Sequence, residues 1–154
     1  MQPEKSPSSM TRIEFHFNAP DRLTYTCRLL RKVHASGLRA GVVGAQPFLG
    51  HLDQALWTFS AADFIPHALV GDGLPPAHAS CAVLLADGVS ALGAVDVLVN
   101  LGEAVPAGFE ALPRLIEIVT ADDLERANAR ARWKQYTQLG YELIRHDLAK
   151  PVAA

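Results

Sequence analysis

Three cations and one indole fall close together on the last predicted helix. Arg126, Arg130 and Lys134 follow one another at intervals of four residues, and Trp133 lies among them. With Leu124 as zero and 100° per residue, the cations fall at about 200°, 240° and 280° and Trp133 at about 180°. Guanidinium groups bind carboxylates through forked hydrogen bonds, and an aromatic ring binds an apolar side chain. The pattern predicts a pocket for a short acidic peptide end with an apolar anchor.

The same projection predicts which face of this helix packs on the rest of the domain. We expect the face around Leu124 to be buried; its other members are Ala127, Ala131, Gln135 and Leu139. Trp133 would then lie opposite the core, exposed among like charges. Two other interpretations stay open: a solvated cationic face with one stray Trp, and a single-strand binder in which Trp133 stacks on a base. The formal net charge of −2 disfavours the second.

A second aromatic group follows an earlier predicted helix. Trp57 lies about 140° from Leu52, so it points off the apolar face of that helix. Phe59, Phe64, Ile65 and Pro66 follow within nine residues. Such a group is typical of an anchor in a protein interface. The alternative is that the segment folds back and caps its own core.

Motifs for catalysis and metal binding are missing from the sequence. It contains no Walker G-x-x-x-x-G-K-[ST], G-x-G-x-x-G, G-x-S-x-G or H-E-x-x-H pattern. The short glycine pair of 71–73 precedes Pro75 and Pro76, and proline has no N–H for a phosphate. His51 and Asp53 are two residues apart on a helix and face different ways. We expect no catalytic residue, no cofactor and no metal.

The composition is that of one ordinary folded domain. The chain has 154 residues, of which 49% are apolar, and no apolar run approaches the roughly 18 residues of a membrane span. Cys27 and Cys81 lie at apolar positions and are expected to be inert core residues, reduced in the cytoplasm. We expect a domain over 10–150, a disordered polar extension over 1–9 that leaves Met10 as an alternative start, and a flexible tail over 151–154.

Strands and helices alternate along the chain. Predicted strands cover 12–17, 38–43, 81–86, 94–101 and 114–119. Three helices are predicted. The first begins near Pro20 and Asp21 and ends at Gly37, and the second covers 46–57. The third runs from Thr120 to Gly140 and begins with a capping box formed by Thr120 and Asp123. A loop is expected over 66–79. Strands that are apolar throughout are buried on both faces. The order predicts an α/β fold: one three-layer domain with a mostly parallel sheet, helices on both faces, and a Rossmann-like topology without a phosphate loop.

Several runs resemble one known family. The runs are LDQALW at 52–57, FIPH at 64–67, GDG at 71–73 and RARWKQY at 130–136, followed by Gly140 and Tyr141. They resemble the chi subunit of bacterial DNA polymerase III, in the right order over about residues 12 to 143. The resemblance implies a non-catalytic accessory subunit. It would join the clamp loader through the psi subunit and bind the acidic C-terminal tail of single-stranded-DNA-binding protein.

The resemblance also implies residue roles. The psi contact would use Trp57 and Phe64, with Pro66 beside them, and the tail contact would use the cationic helix. Its matching positions are Arg126, Arg130, Trp133 and Lys134. The family often has Tyr in place of Trp133 and Lys in place of Arg126, and both differences keep the chemistry. The alternatives from other classes are a nucleotide-dependent enzyme of Rossmann-like fold and a direct single-stranded-DNA binder.

Overall fold

Seven parallel strands form one sheet within the part of the chain that the computed structural model describes, residues 10–58, 64–70 and 81–149. The strand order is β3-β4-β2-β5-β6-β1-β7. The strands are β1 (Arg12–Ala19), β2 (Ala40–Val43), β3 (His67–Leu69), β4 (Val83–Ala86), β5 (Val97–Asn100), β6 (Arg114–Thr120) and β7 (Leu143–Asp147). The helices are α1 (Arg22–Ala35), α2 (Gln46–Thr58) and α3 (Asp123–Gln138). The predicted extension, the predicted tail, Phe59 and the glycine pair of 71–73 lie outside the described residues.

Helices cover both faces of the sheet, and a separate apolar cluster fills each layer. Leu30 of α1 and Leu49 of α2 pack with Val42 and Ile116 on one face. On the other face, Tyr136 of α3 belongs to a cluster whose sheet members include Ile13, Phe15, Leu98 and Leu115. The central strands are buried throughout, as their continuous apolar runs predict. The predicted three-layer α/β fold with a parallel sheet is therefore confirmed.

Two strands were not predicted from the sequence. β3 has only three residues and lies inside the stretch expected to be a loop. β7 follows the last helix and forms the edge of the sheet beside β1. Its sequence, LIRHD, mixes apolar and charged residues because an edge strand is only partly covered.

The predicted helix ends are correct, and one predicted cap is wrong. Gly37 and Gly140 follow α1 and α3 with φ of 78° and 94°, the left-handed conformation that ends a helix. The N-cap of α3 is Asp122 and not Thr120, because the Asp122 carboxylate accepts the Glu125 N–H at 3.0 Å. The Thr120 hydroxyl instead accepts the Asp122 N–H at 3.3 Å.

The predicted inward face of α3 is also wrong. Leu124 and Leu139 are 65% and 62% exposed, whereas Ala129, Arg132 and Tyr136 are buried. Of the other members of the predicted face, Ala127, Ala131 and Gln135 are exposed as well. The buried face lies about 110° away from the predicted one. The apolar pattern fails here because two of the buried residues carry polar groups.

Those polar groups meet one buried carboxylate of β6. Glu117 accepts hydrogen bonds from Arg132 Nε at 3.0 Å, from the Tyr136 hydroxyl at 2.6 Å and from Asn100 Nδ2 at 3.0 Å. Burial, together with the neighbouring Glu117 charge, raises the pKa of the Tyr136 phenol, so this hydroxyl stays a donor. The network fixes the rotation of α3 on the sheet, since a buried ion pair tolerates only one geometry.

Candidate peptide-binding site

A pocket of about 350 Å³ lies between α3 and the carboxyl ends of β1, β6 and β7. Its lining combines aromatic rings, guanidinium groups and one carboxylate. Its lining residues are Phe17, Asn18, Thr120, Arg126, Ala129, Arg130, Trp133, Arg145 and Asp147. Three of the four residues that the sequence pattern singled out on α3 therefore meet in one concave surface.

The indole of Trp133 forms the apolar part of the pocket. Trp133 is partly buried and does not lie opposite the core as the sequence projection predicts. Its ring packs edge-on against Phe15, with centroids 5.0 Å apart, and lies 6.1 Å from the Phe17 ring. Because the buried face of α3 is rotated by about 110° from the predicted one, Trp133 lies at the border of that face. One side of the ring is held by the domain, and the ring also lines the pocket as a fixed apolar surface.

Three guanidinium groups surround this surface. Arg126 and Arg130 are exposed on successive turns of α3, and both line the pocket. Arg145 comes from β7, with its guanidinium carbon 5.1 Å from the Phe17 ring centroid and 5.9 Å from that of Trp133. Lys134 is exposed and lies outside the pocket lining. The sequence pattern did not single out Arg145, because the edge strand that carries it was not predicted.

One carboxylate also faces the pocket, and the protein holds it in place. Asp147 Oδ1 accepts hydrogen bonds from Asn18 Nδ2 at 2.8 Å and from the Ala149 N–H at 3.0 Å. Asn18 has a left-handed backbone with φ 61°, a conformation that asparagine tolerates better than most residues. With three arginines and one aspartate (3 − 1 = +2), the lining keeps a positive balance. The arrangement can bind an anion whose neighbouring group is apolar.

The second predicted surface lies at the other edge of the sheet. Trp57 and Phe64 are 57% and 51% exposed, and their ring centroids are 5.0 Å apart. Pro66 beside them is exposed as well, whereas Ile65 is buried. Of these four residues, only Ile65 therefore fits the alternative interpretation, in which the segment folds back and caps its own core.

A buried histidine supports this aromatic pair. The ring of His67 lies 5.0 Å from that of Trp57, and its Nδ1 pairs with the Ile65 carbonyl oxygen at 2.7 Å. Its Nε2 lies 3.3 Å from Asp53 Oδ1. Both ring nitrogens are engaged, so the imidazole holds the segment 64–66 against the end of α2 and leaves Trp57 and Phe64 outside.

Comparison with known proteins decides the family. The family model described as DNA polymerase III chi subunit, HolC, matches residues 10–144. The DNA polymerase III subunit chi of Pseudomonas aeruginosa is 30% identical over 146 residues, which cover 92% of this chain and 99% of that protein. The chain belongs to the DNA polymerase III chi subunit family. The chi subunit of Haemophilus influenzae is 30% identical over 93 residues, 60% of this chain and 62% of that one.

Solved structures support the fold of this chi-family chain. The C-terminal domain of Saccharomyces cerevisiae Dbp5 superposes with a TM-score of 0.61 at 11% identity, over 91% of this chain and 92% of that one. At this identity the likeness concerns the fold alone. Membership of the chi family gives the chain an accessory role in DNA replication. No helix among the described residues is long and apolar enough to cross a bilayer.

Proposed function

We propose that this chi-family chain is a non-catalytic adaptor of the cytoplasmic replisome with two separate docking surfaces. The first binds the acidic C-terminal tail of single-stranded-DNA-binding protein and comprises Arg126, Arg130, Trp133 and Lys134, joined by Arg145. The second binds the psi subunit, and through it the clamp loader, and comprises Trp57, Phe64 and Pro66. Nucleic acid is reached indirectly, and the adaptor needs no cofactor.

The observation that carries the tail proposal is the joint position of aromatic rings and guanidinium groups in one pocket. An apolar side chain at the end of the tail packs against Trp133 and Phe17, while Arg126, Arg130 and Arg145 bind its carboxylates. Each exposed ion pair contributes about 0–1 kcal/mol. Burial of one large apolar side chain contributes roughly 1.5–3 kcal/mol. The contact is therefore weak to moderate and sensitive to salt.

The psi proposal is supported by the exposed aromatic pair. Trp57 and Phe64 present a contiguous apolar surface that water solvates poorly, and aromatic residues are enriched among interface anchors. Pro66 adds a rigid apolar ring without a backbone donor. A partner that covers the pair with its own apolar side chains gains the most from this surface.

The experiment is a calorimetric titration of the intact protein with a peptide of the single-stranded-DNA-binding-protein tail. We expect Trp133→Ala to weaken binding about tenfold or more, which corresponds to ~1.4 kcal/mol, and Arg130→Ala to weaken it several-fold, within the ~1 kcal/mol of one exposed ion pair. Arg28→Ala is the matched control, because Arg28 is an exposed arginine on α1, at the opposite face of the sheet. Unchanged affinity in both pocket variants would end the tail proposal. Tight binding of naked oligonucleotide without any partner would favour direct single-strand binding instead.

A further inference from the structure

A second polar cluster lies on the sheet face opposite the pocket. Side chains alternate along β1, so Phe15 and Phe17 face the α3 side while Glu14 and His16 face the α1 side. His16 is paired in register with His146 of the neighbouring strand β7. Glu14, His16 and His146 each offer one donor atom, and these three atoms lie within 4.8 Å of one another.

His16 has a buried nitrogen without a hydrogen-bond partner. The residue is 8% exposed, and its Nε2 makes no hydrogen bond to any described group. This atom lies 3.9 Å from Glu14 Oε1. The other ring nitrogen, Nδ1, is hydrogen-bonded to the Tyr25 hydroxyl. Burying a nitrogen without a hydrogen-bond partner is unfavourable, so its orientation toward a carboxylate and a second imidazole requires an explanation.

The two oxygens of the Glu14 carboxylate have different neighbours. Arg114 Nε binds Oε2. The other oxygen, Oε1, lies 3.1 Å from His146 Nε2 and 3.2 Å from an Arg114 nitrogen. Oε1 is thus the oxygen that both imidazoles approach.

We propose that Glu14 Oε1, His16 Nε2 and His146 Nε2 bind one divalent transition-metal ion of the zinc class. Two imidazoles and one carboxylate, with a fourth position open to water, form a donor set that Zn²⁺ uses. Ligand bonds of about 2.0–2.2 Å at tetrahedral angles place donor atoms about 3.3 Å apart. The Glu14–His146 distance of 3.1 Å already matches this value, and the Glu14–His16 distance of 3.9 Å needs a small rotation.

The surroundings supply the supporting hydrogen bonds of such a site. The Tyr25 hydroxyl fixes His16 through Nδ1 and leaves Nε2 for the metal, and Arg114 orients the carboxylate through Oε2. Metal ions bind the deprotonated forms of such ligands, so we expect binding to weaken as the pH falls. Bound metal ties the edge strand β7 to β1. It therefore stabilises the folded chain, because the unfolded chain lacks the site.

The test uses the full chain after treatment with a chelator that is then removed. Zn²⁺ is titrated by calorimetry and Co²⁺ by visible absorption, and the melting temperature is measured with and without Zn²⁺. We expect one equivalent of Zn²⁺, tetrahedral Co²⁺ bands, and a higher melting temperature with Zn²⁺. His146→Ala is the primary variant, because His146 is exposed on an edge strand and its loss leaves the core intact.

We expect His146→Ala to weaken Zn²⁺ binding at least tenfold and to abolish the Zn²⁺-dependent rise in melting temperature. His51→Ala is the control, since His51 is an exposed histidine on α2 outside this cluster, and it keeps both properties of the wild-type protein. The proposal is overturned if the wild-type chain binds no stoichiometric Zn²⁺. It is also overturned if His146→Ala binds Zn²⁺ as tightly as the wild type.

Discussion

Arg145 and Lys134 are two cations at different positions relative to the same pocket. Arg145 lines the pocket beside Phe17 and Trp133, whereas Lys134 lies outside the lining. We expect Arg145→Ala to lower the affinity for the tail peptide several-fold, because the substitution removes a guanidinium that can bind a carboxylate and stack on aromatic rings. Lys134→Ala has a smaller effect that disappears at high salt. Calorimetry at two salt concentrations measures both, and the reverse ranking would contradict the pocket assignment.

Trp133 was only partly predictable from the sequence. Its type and its spacing from Arg126 and Arg130 predicted a shared surface, and the three do line one pocket. Its orientation could not be predicted, because Arg132 and Tyr136 count as polar in any periodicity and yet are buried against Glu117. Local spacing thus predicted which residues line the pocket, whereas the direction of their side chains depends on a carboxylate from another strand.

Glu14 makes the stability of the folded chain depend on pH in the acidic range. Burial opposes its ionisation, but the neighbouring His16, Arg114 and Arg12 outweigh burial and hold its pKa in the folded protein below the ordinary 4.5. A lowered pKa stabilises the folded state above about pH 4.5, and this contribution is lost as the pH falls further. We expect the free energy of unfolding of the metal-free wild type to fall more steeply below pH 4.5 than that of Glu14→Gln. Urea unfolding of both proteins across this range measures the difference; parallel pH profiles would contradict it.

At the level of elements, strands with a continuous apolar run were predictable and edge strands were not. β4 and β5 are buried on both faces, so their sequences contain nothing but apolar residues up to Asn100. β3 and β7 are the two edges, and only tertiary pairing makes them strands. β7 matters most for the two proposed sites on this side of the sheet, because it supplies Arg145 to the pocket and His146 to the opposite face.

The orientation of α3 depends on its buried ion pair. Arg132 is 5% exposed, and its guanidinium binds Glu117 and also donates to the Glu103 carbonyl oxygen at 2.8 Å. We expect Arg132→Ala to lower the free energy of unfolding by about 3–5 kcal/mol, because it leaves a buried carboxylate without its cation. Chemical denaturation measures this loss. Arg130→Ala, on the exposed face of the same helix, changes stability by less than about 0.5 kcal/mol. Equal losses in the two variants would contradict the assigned orientation of α3.

For the whole molecule, the two proposed surfaces lie at opposite edges of one rigid sheet. The aromatic pair adjoins β3 and the pocket adjoins β7, which are six strand spacings apart in the sheet order. At about 4.8 Å per spacing the separation is roughly 29 Å. The two surfaces share no residue, so we expect that both can be occupied at the same time.

Simultaneous binding gives a clear expectation for the complex. The affinity for the tail peptide should be the same with and without bound psi subunit, since no shared residue couples the two surfaces. Trp57→Ala should remove psi and keep the tail, and Trp133→Ala should do the opposite. Calorimetry on the preformed psi complex measures this independence. Loss of tail binding with retention of psi in Trp57→Ala would show that the two surfaces are assigned the wrong way round.

Capture of an acidic chain end in the pocket is tested most sharply with two tail peptides that differ only in the terminal carboxylate, one free and one amidated. Calorimetry is run on the wild-type chain and on Arg126→Ala, Arg130→Ala and Arg145→Ala. We expect amidation to weaken wild-type binding about tenfold or more. It should weaken binding to at least one of the arginine variants far less, because in that variant the carboxylate has already lost its partner. Equal binding of the free and amidated peptides by the wild-type chain would contradict capture of an acidic chain end in this pocket.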